Sequence, residues 1–221
     1  MTSPAHSFGQ RYAILNLDWM SCLIGAIENT PEGQALIANY IRWNDAVHRK
    51  NPRPLTVFTT LCFSHGQPEV ERNKPFANLI APFGTFEAGT PEAQIDGRFT
   101  LDEKDVLLHK TRWAATMGNA LEQILKAQGI ETVVIVGGIP FLLYLRLIVS
   151  QSGLTLSGVV MNTIYRVFDL DDNIFVIADN VVDLPVEQNA EFKKVMLDTL
   201  LLKINLKVIS LDEAIQALCQ S

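Results

Sequence analysis

Cysteine, histidine, charge and long apolar runs are all in short supply in this 221-residue chain, and each shortage excludes something. The three cysteines, Cys22, Cys62 and Cys219, are too few and too scattered for a disulfide scaffold or a CxxC zinc site, and they suit a reducing compartment. The four histidines, His6, His48, His65 and His109, show no HxxxH or DxH spacing, so no metal is expected. Net charge is −6 and no basic stripe runs along any segment, whereas duplex binding needs a cationic surface to displace counterions. Nucleic acid is therefore not expected as a partner. The longest apolar run, Ile139 to Val149, is interrupted by Arg146 and falls short of the ~20 residues that span a bilayer. The first residues, MTSPAHSFGQRY, carry no apolar core of a signal peptide. A cytoplasmic, globular protein with no membrane contact is the expectation.

What is present points to a packed α/β domain. Hydrophobic residues make up 48% of the chain and charged ones 19%, the reverse of the disorder signature. Short, near-continuous Val/Ile/Leu runs read as strands at Tyr12 to Asp18, Leu55 to Thr60, Asp105 to Lys110, Thr132 to Val136, Ile174 to Ala178 and Leu206 to Ile209. Between them lie helical stretches: Pro31 to Lys50, with Leu36, Ile37, Tyr40, Ile41 and Val47 at helical spacing, then Ala114 to Gln128, stopped by Gly129. Glu187 to Leu202 and Leu211 to Leu218 complete the set. Strands that are apolar throughout, alternating with helices, predict a mostly parallel sheet covered on both faces in one domain spanning residues 1 to 221. Residues 61 to 104 are rich in glycine and proline, and a connection that long is usually functional.

In an open parallel sheet, ligands bind outside the carboxyl ends of the strands. Two charges stand at such ends: Asp18 after the first strand and Lys110 after the third. Brought into one crevice they could perturb each other and serve as an acid/base pair; the plainer alternative is two solvated strand-end charges. Cys22, four residues after Asp18, could enter the same crevice, though a buried inert thiol is the usual outcome. Gly137-Gly138 follows a strand, but the GxGxxG fingerprint is missing, so no dinucleotide cofactor is expected. Asp179 and Asp183 read as structural caps at the exit of the fifth strand.

Asp18, Gly89-Thr90, Asp105-Val-Leu-Leu-His-Lys110-Thr-Arg-Trp113, the Leu121 to Gly129 helix, Val133-Val-Ile-Val-Gly-Gly138 and Phe175-Val-Ile-Ala-Asp179 resemble, in order and spacing, the isochorismatase-like hydrolases. The resemblance spans about residues 10 to 215. It implies a Rossmann-like three-layer α/β/α fold with a six-stranded sheet, no cofactor and self-association into a homo-oligomer. Cysteine-dependent members use an Asp as proton acceptor, a Lys and a nucleophilic Cys; by position Asp18 and Lys110 match the first two. Trp113 falls where the family has an aromatic that can wall the pocket. The Asp-x-His metal site of some nicotinamidases is absent.

The third member has no match. Counting forward from Gly138-Ile139 puts Tyr144 at the nucleophile position, and counting back from Asp179 puts Val159 there. The stretch Ser157-Gly158-Val159-Val160 resembles a cysteine-less branch and favours the second count. Neither residue is a thiol, so covalent thiol catalysis at that position is excluded by chemistry. Ile139-Pro140 stands in the turn where the family has a cis peptide. Proline offers no N–H to an oxyanion, and losing such a donor typically costs about 100- to 1000-fold in rate. The two counts differ because residues 139–156 form an apparent insertion. It could be an added helix, an apolar patch for oligomer contact, or a gene-model artefact, which a cDNA sequence would distinguish.

The resemblance thus implies a hydrolase acting on a small metabolite, with Asp18 and Lys110 catalytic and Trp113, Ile139, Pro140, Ser157, Gly158 and Val159 around the substrate. Its alternative is a catalytically silent member that binds a ligand or partner.

Overall fold

The apolar runs form strands because side chains alternating across a pleat can bury Val, Ile and Leu on both faces of a covered sheet. The computed structural model describes residues 6–137, 156–183 and 188–221. Six strands result: β1 (Tyr12–Leu17), β2 (Leu55–Leu61), β3 (Val106–Lys110), β4 (Thr132–Gly137), β5 (Asn173–Ile177) and β6 (Lys207–Ile209). They lie in the order β3-β2-β1-β4-β5-β6, and every pairing is parallel. Every residue of β1 and β4 is buried, which places this central pair between two helical layers. Edge strand β3 alternates between half-exposed and exposed until Lys110, its last residue, which is buried. The three-layer α/β architecture matches the expectation.

Seven helices are described: α1 (Ser21–Ile27), α2 (Pro31–Arg49), α3 (Pro75–Ile80), α4 (Leu121–Ala127), α5 (Met161–Phe168), α6 (Asn189–Val195) and α7 (Leu211–Gln220). Helix α2 begins where Thr30 accepts from the Gly33 amide and Pro31 occupies the first turn. It buries Leu36, Ile37, Tyr40, Trp43 and Val47. Helix α7 opens with a reciprocal capping box between Ser210 and Glu213. No helix among the described residues is long and apolar enough to cross a membrane.

The structure departs from the sequence reading in the helices. The stretch Ala114 to Gln128 is helical only from Leu121, because Gly118 turns at φ +85°. There the Asn119 side chain accepts from the Leu121 amide and donates to the His109 and Ala115 carbonyls. The stretch Glu187 to Leu202 is α6 followed by a wide π-helical turn, Met196–Leu201. Helices α1, α3 and α5 went unread; all have eight residues or fewer, too short for periodicity to declare itself. The apparent insertion lies outside the described residues except for Leu156, which is buried.

Strand order reverses between β1 and β4, so a crevice opens at their carboxyl ends. Gly137 closes β4 there at φ +114°, and a Cβ would stand 2.4 Å from the Leu17 carbonyl oxygen and 2.6 Å from Trp19 Nε1. Both the backbone angle and the space demand glycine. Gly137→Ala is expected to cost at least about 2 kcal/mol, read as a lowered denaturant midpoint at unchanged slope.

Candidate active site

Asp18 leaves β1 in a left-handed conformation, φ +55°, uncommon for a residue with a Cβ and most tolerated in Asp and Asn. Its amide donates to the Thr59 carbonyl at 3.1 Å, so β2 holds the turn. The long connection then seals it: Met20 bridges Ile95 antiparallel, and the Asp96 amide donates to the Trp19 carbonyl. Trp19 stacks on Tyr40 of α2, with Phe99 edge-on to both. These rings belong to the buried core, and Asp18 beside Trp19 in the chain is itself fully buried.

Lys110 ends β3 two strands away, level with Leu61 of β2. Its side chain reaches across the strand ends to put Nζ 2.8 Å from Asp18 Oδ2, and it too is fully buried. The ammonium also donates to the Arg112 carbonyl at 3.0 Å, while Thr59 Oγ1 donates to Asp18 Oδ1 at 3.4 Å. Burial, the largest influence, pushes the Asp18 carboxyl above its ordinary range; the Lys110 charge and the hydrogen bonds from Lys110 and Thr59 oppose it. Such a carboxyl can hold a proton at a pH where a solvated aspartate cannot, with a cation beside it to receive the charge when the proton leaves. Thr59 and the Arg112 carbonyl carried no signal in the sequence beyond following or facing a strand-end charge.

Beside this pair lies a cavity of about 470 Å³, lined by Pro75, Phe76 and Leu79 of α3, by Arg112, Trp113, Ala114 and Met117, and by Asn162. Trp113 thus walls a cavity, next to Phe76 at 6.3 Å between ring centres. Asp18 and Lys110 do not line it; Arg112, whose carbonyl accepts from Lys110, does.

Ser157, Gly158 and Val159 fall in a π-helical turn, Leu156–Val160, that runs into α5. The Ser157 amide donates to the buried carboxylate of Asp183 at 2.8 Å, and Val159 is fully buried. Ile139, Pro140, Gly138 and Tyr144 lie outside the described residues. Asp179 accepts from the Leu211 amide and so caps α7. Cys22 comes near Asp18 but its thiol donates to the Glu92 carbonyl at 3.2 Å. Burial first, and then the Asp18 charge, push that thiol up to about 12, which disfavours the thiolate a nucleophile needs. Cys62 is buried, with its thiol also pushed up by burial, and Cys219 is exposed.

Among the described residues, one cluster has the donor types for a metal ion: His48, Asp102 and Asp105, whose ligand atoms lie within 4.8 Å of one another. The guanidinium of Arg53 already pairs with both aspartates, and His48 Nε2 sits 3.2 Å from Asp105. Fixed cationic charge thus balances the buried Asp105 without an ion. Arg53→Met is expected to destabilise the fold by about 3–5 kcal/mol, because it strands that carboxylate; chemical unfolding would measure it.

Residues 12–139, more than half of the chain, match the isochorismatase domain family. No curated protein matches the sequence. Among solved structures, the fold is similar to that of an isochorismatase family protein from Burkholderia thailandensis, at TM-score 0.70 and 15% identity, covering 99% of this chain and 100% of that one. It is also similar to N-carbamoylsarcosine amidase from Thermoplasma acidophilum, at TM-score 0.64 and 17% identity, with 92% and 98% of the two chains covered. A pyrazinamidase/nicotinamidase from Streptococcus mutans aligns at TM-score 0.61 and 16% identity over 90% and 99%. At these identities the likenesses speak to fold, while the domain match carries the assignment: this chain belongs to the isochorismatase family.

Proposed function

We propose that the protein is a hydrolase of small metabolites that works through Asp18 and Lys110 without a covalent thiol intermediate. The supporting observation is the 2.8 Å contact between the Lys110 ammonium and the Asp18 carboxylate, both fully buried. A protonated Asp18 donates its proton to the terminal carbon of an enol ether. Water adds to the resulting oxocarbenium ion and returns its proton to the carboxylate, and the hemiketal collapses to a ketone and an alcohol. Lys110 stabilises the carboxylate in the interval. Trp113 walls the adjoining cavity, and by sequence position Ser157, Gly158, Val159, Ile139 and Pro140 correspond to the family's nucleophile turn. The raised thiol of Cys22 and the valine at position 159 both favour a route without sulfur. The test is hydrolysis of a panel of enol ethers and amides by wild type and Asp18→Asn; activity that survives the substitution sinks the proposal.

A second reading, a ligand-binding member without turnover, draws on one observation: both charges are fully buried and neither lines the adjoining cavity. Binding of panel compounds with no product from wild type would select it. Self-association and a cytoplasmic location remain part of the proposal, and sedimentation of the purified chain would test the first.

A further inference from the structure

We infer that the cavity beside the ion pair takes an uncharged, bulky apolar group of the substrate, an aryl or branched-alkyl substituent about the size of indole; this rests on the hydrolase reading given above. Six of the eight described residues that line it are apolar: Pro75, Phe76, Leu79, Trp113, Ala114 and Met117. The two polar ones already donate to backbone carbonyls, while the Trp113 indole N–H has no hydrogen-bond partner among the described residues and is free to donate to a polar edge of the seated group. Arg112 lays its guanidinium over the Phe76 ring at 4.8 Å and donates to the carbonyls of Thr111 and Glu69. Asn162 donates to the Gly158 carbonyl.

An anionic ligand would be recognised by a fork of free donors. Here the guanidinium is pinned flat by backbone oxygens and an aromatic face, so it serves as a wall. Phe76 and Trp113 stand 6.3 Å apart between ring centres at 61° to each other, two aromatic walls against which a third ring can pack. A volume of about 470 Å³ falls within the range of small-molecule sites and exceeds what a small polar metabolite fills. The apolar wall begins one residue beyond the carbonyl that Lys110 holds.

The probes are indole, benzyl alcohol, benzoate and acetamide, titrated by calorimetry into wild type, Asp18→Asn, Ala114→Phe, Leu79→Asn and Arg112→Met. Indole and benzyl alcohol are expected to bind wild type and Asp18→Asn alike, with acetamide not binding. Ala114→Phe fills the cavity and Leu79→Asn makes its wall polar, and each should weaken indole about 10- to 100-fold. Circular dichroism confirms that each variant is folded, and either one suffices. The inference is overturned if neither neutral aromatic binds wild type, or if both wall variants, folded, bind indole as wild type does. It is overturned equally if benzoate binds tenfold tighter than benzyl alcohol and loses that advantage in Arg112→Met. Because binding is read in Asp18→Asn as well, turnover by that variant would remove the hydrolytic mechanism while leaving the cavity's ligand class standing.

Discussion

Asp18→Asn is expected to lower turnover about 10²- to 10⁴-fold while the protein still folds, the loss typical when a positioned acid or base is removed. Asparagine keeps the shape of the side chain and an oxygen that can accept from Lys110 and Thr59, but it has no proton to give. The left-handed backbone at this position is one that asparagine also tolerates. The same carboxyl sets a pH signature. Because folding raises its affinity for a proton, the acid form persists to a higher pH than in the unfolded chain. A reaction that begins with proton donation should fall away as the pH rises through the folded-state value. Stability carries the same sign: the contribution of the protonated carboxyl is complete below the unfolded-state pKa and is lost as the pH climbs through the raised one. Asp18→Asn should flatten this part of the stability profile. Parallel curves for variant and wild type would show that the carboxyl is not raised.

The second large effect falls on stability. Lys110→Met leaves the Asp18 carboxylate without its cation in a site closed to solvent, and about 3–5 kcal/mol of folding free energy should go with it. Methionine matches the length of the lysine stem, so lost packing contributes little. The deficit should shrink at acidic pH, where protonation neutralises the stranded carboxyl. Adding Asp18→Asn to Lys110→Met should recover much of the loss, since neither member then carries a charge. The double variant should nevertheless remain as inactive as either single one. Unfolding free energies of the four proteins form a cycle whose coupling measures the ion pair. Additive losses would mean that the two side chains do not interact, and the proposed mechanism would fall with them.

The strands were readable because burial on both faces forces a run of apolar residues, and such runs stand out from Tyr12 to Leu17 and from Thr132 to Gly137. Helix α2 was readable for a related reason: nineteen residues give periodicity room to repeat. Short elements lacked that room. Helix α3, which supplies half the apolar wall of the cavity, sits inside a stretch whose glycines and prolines announce only a loop. The turn at Gly118-Asn119 shortened a predicted helix because a single asparagine side chain satisfies an amide and two carbonyls that a helix would have paired within itself.

Composition and order along the chain decide local matters: which segments are strands, that the sheet is parallel, and that Asp18 and Lys110 each end a strand. Those properties follow from side-chain volume and the backbone's two periodicities, which act between near neighbours. That the two charges touch, and that the Cys22 thiol is turned to the Glu92 carbonyl, depends on strand order and on contacts made by residues 61–104, between segments far apart in sequence. The cavity beyond them likewise exists only where α3 and the turn after β3 face each other. Solvation is the physical reason for the difference. A lone charge at a strand end is unremarkable in water and becomes a reactive or costly group once packing has removed the water around it.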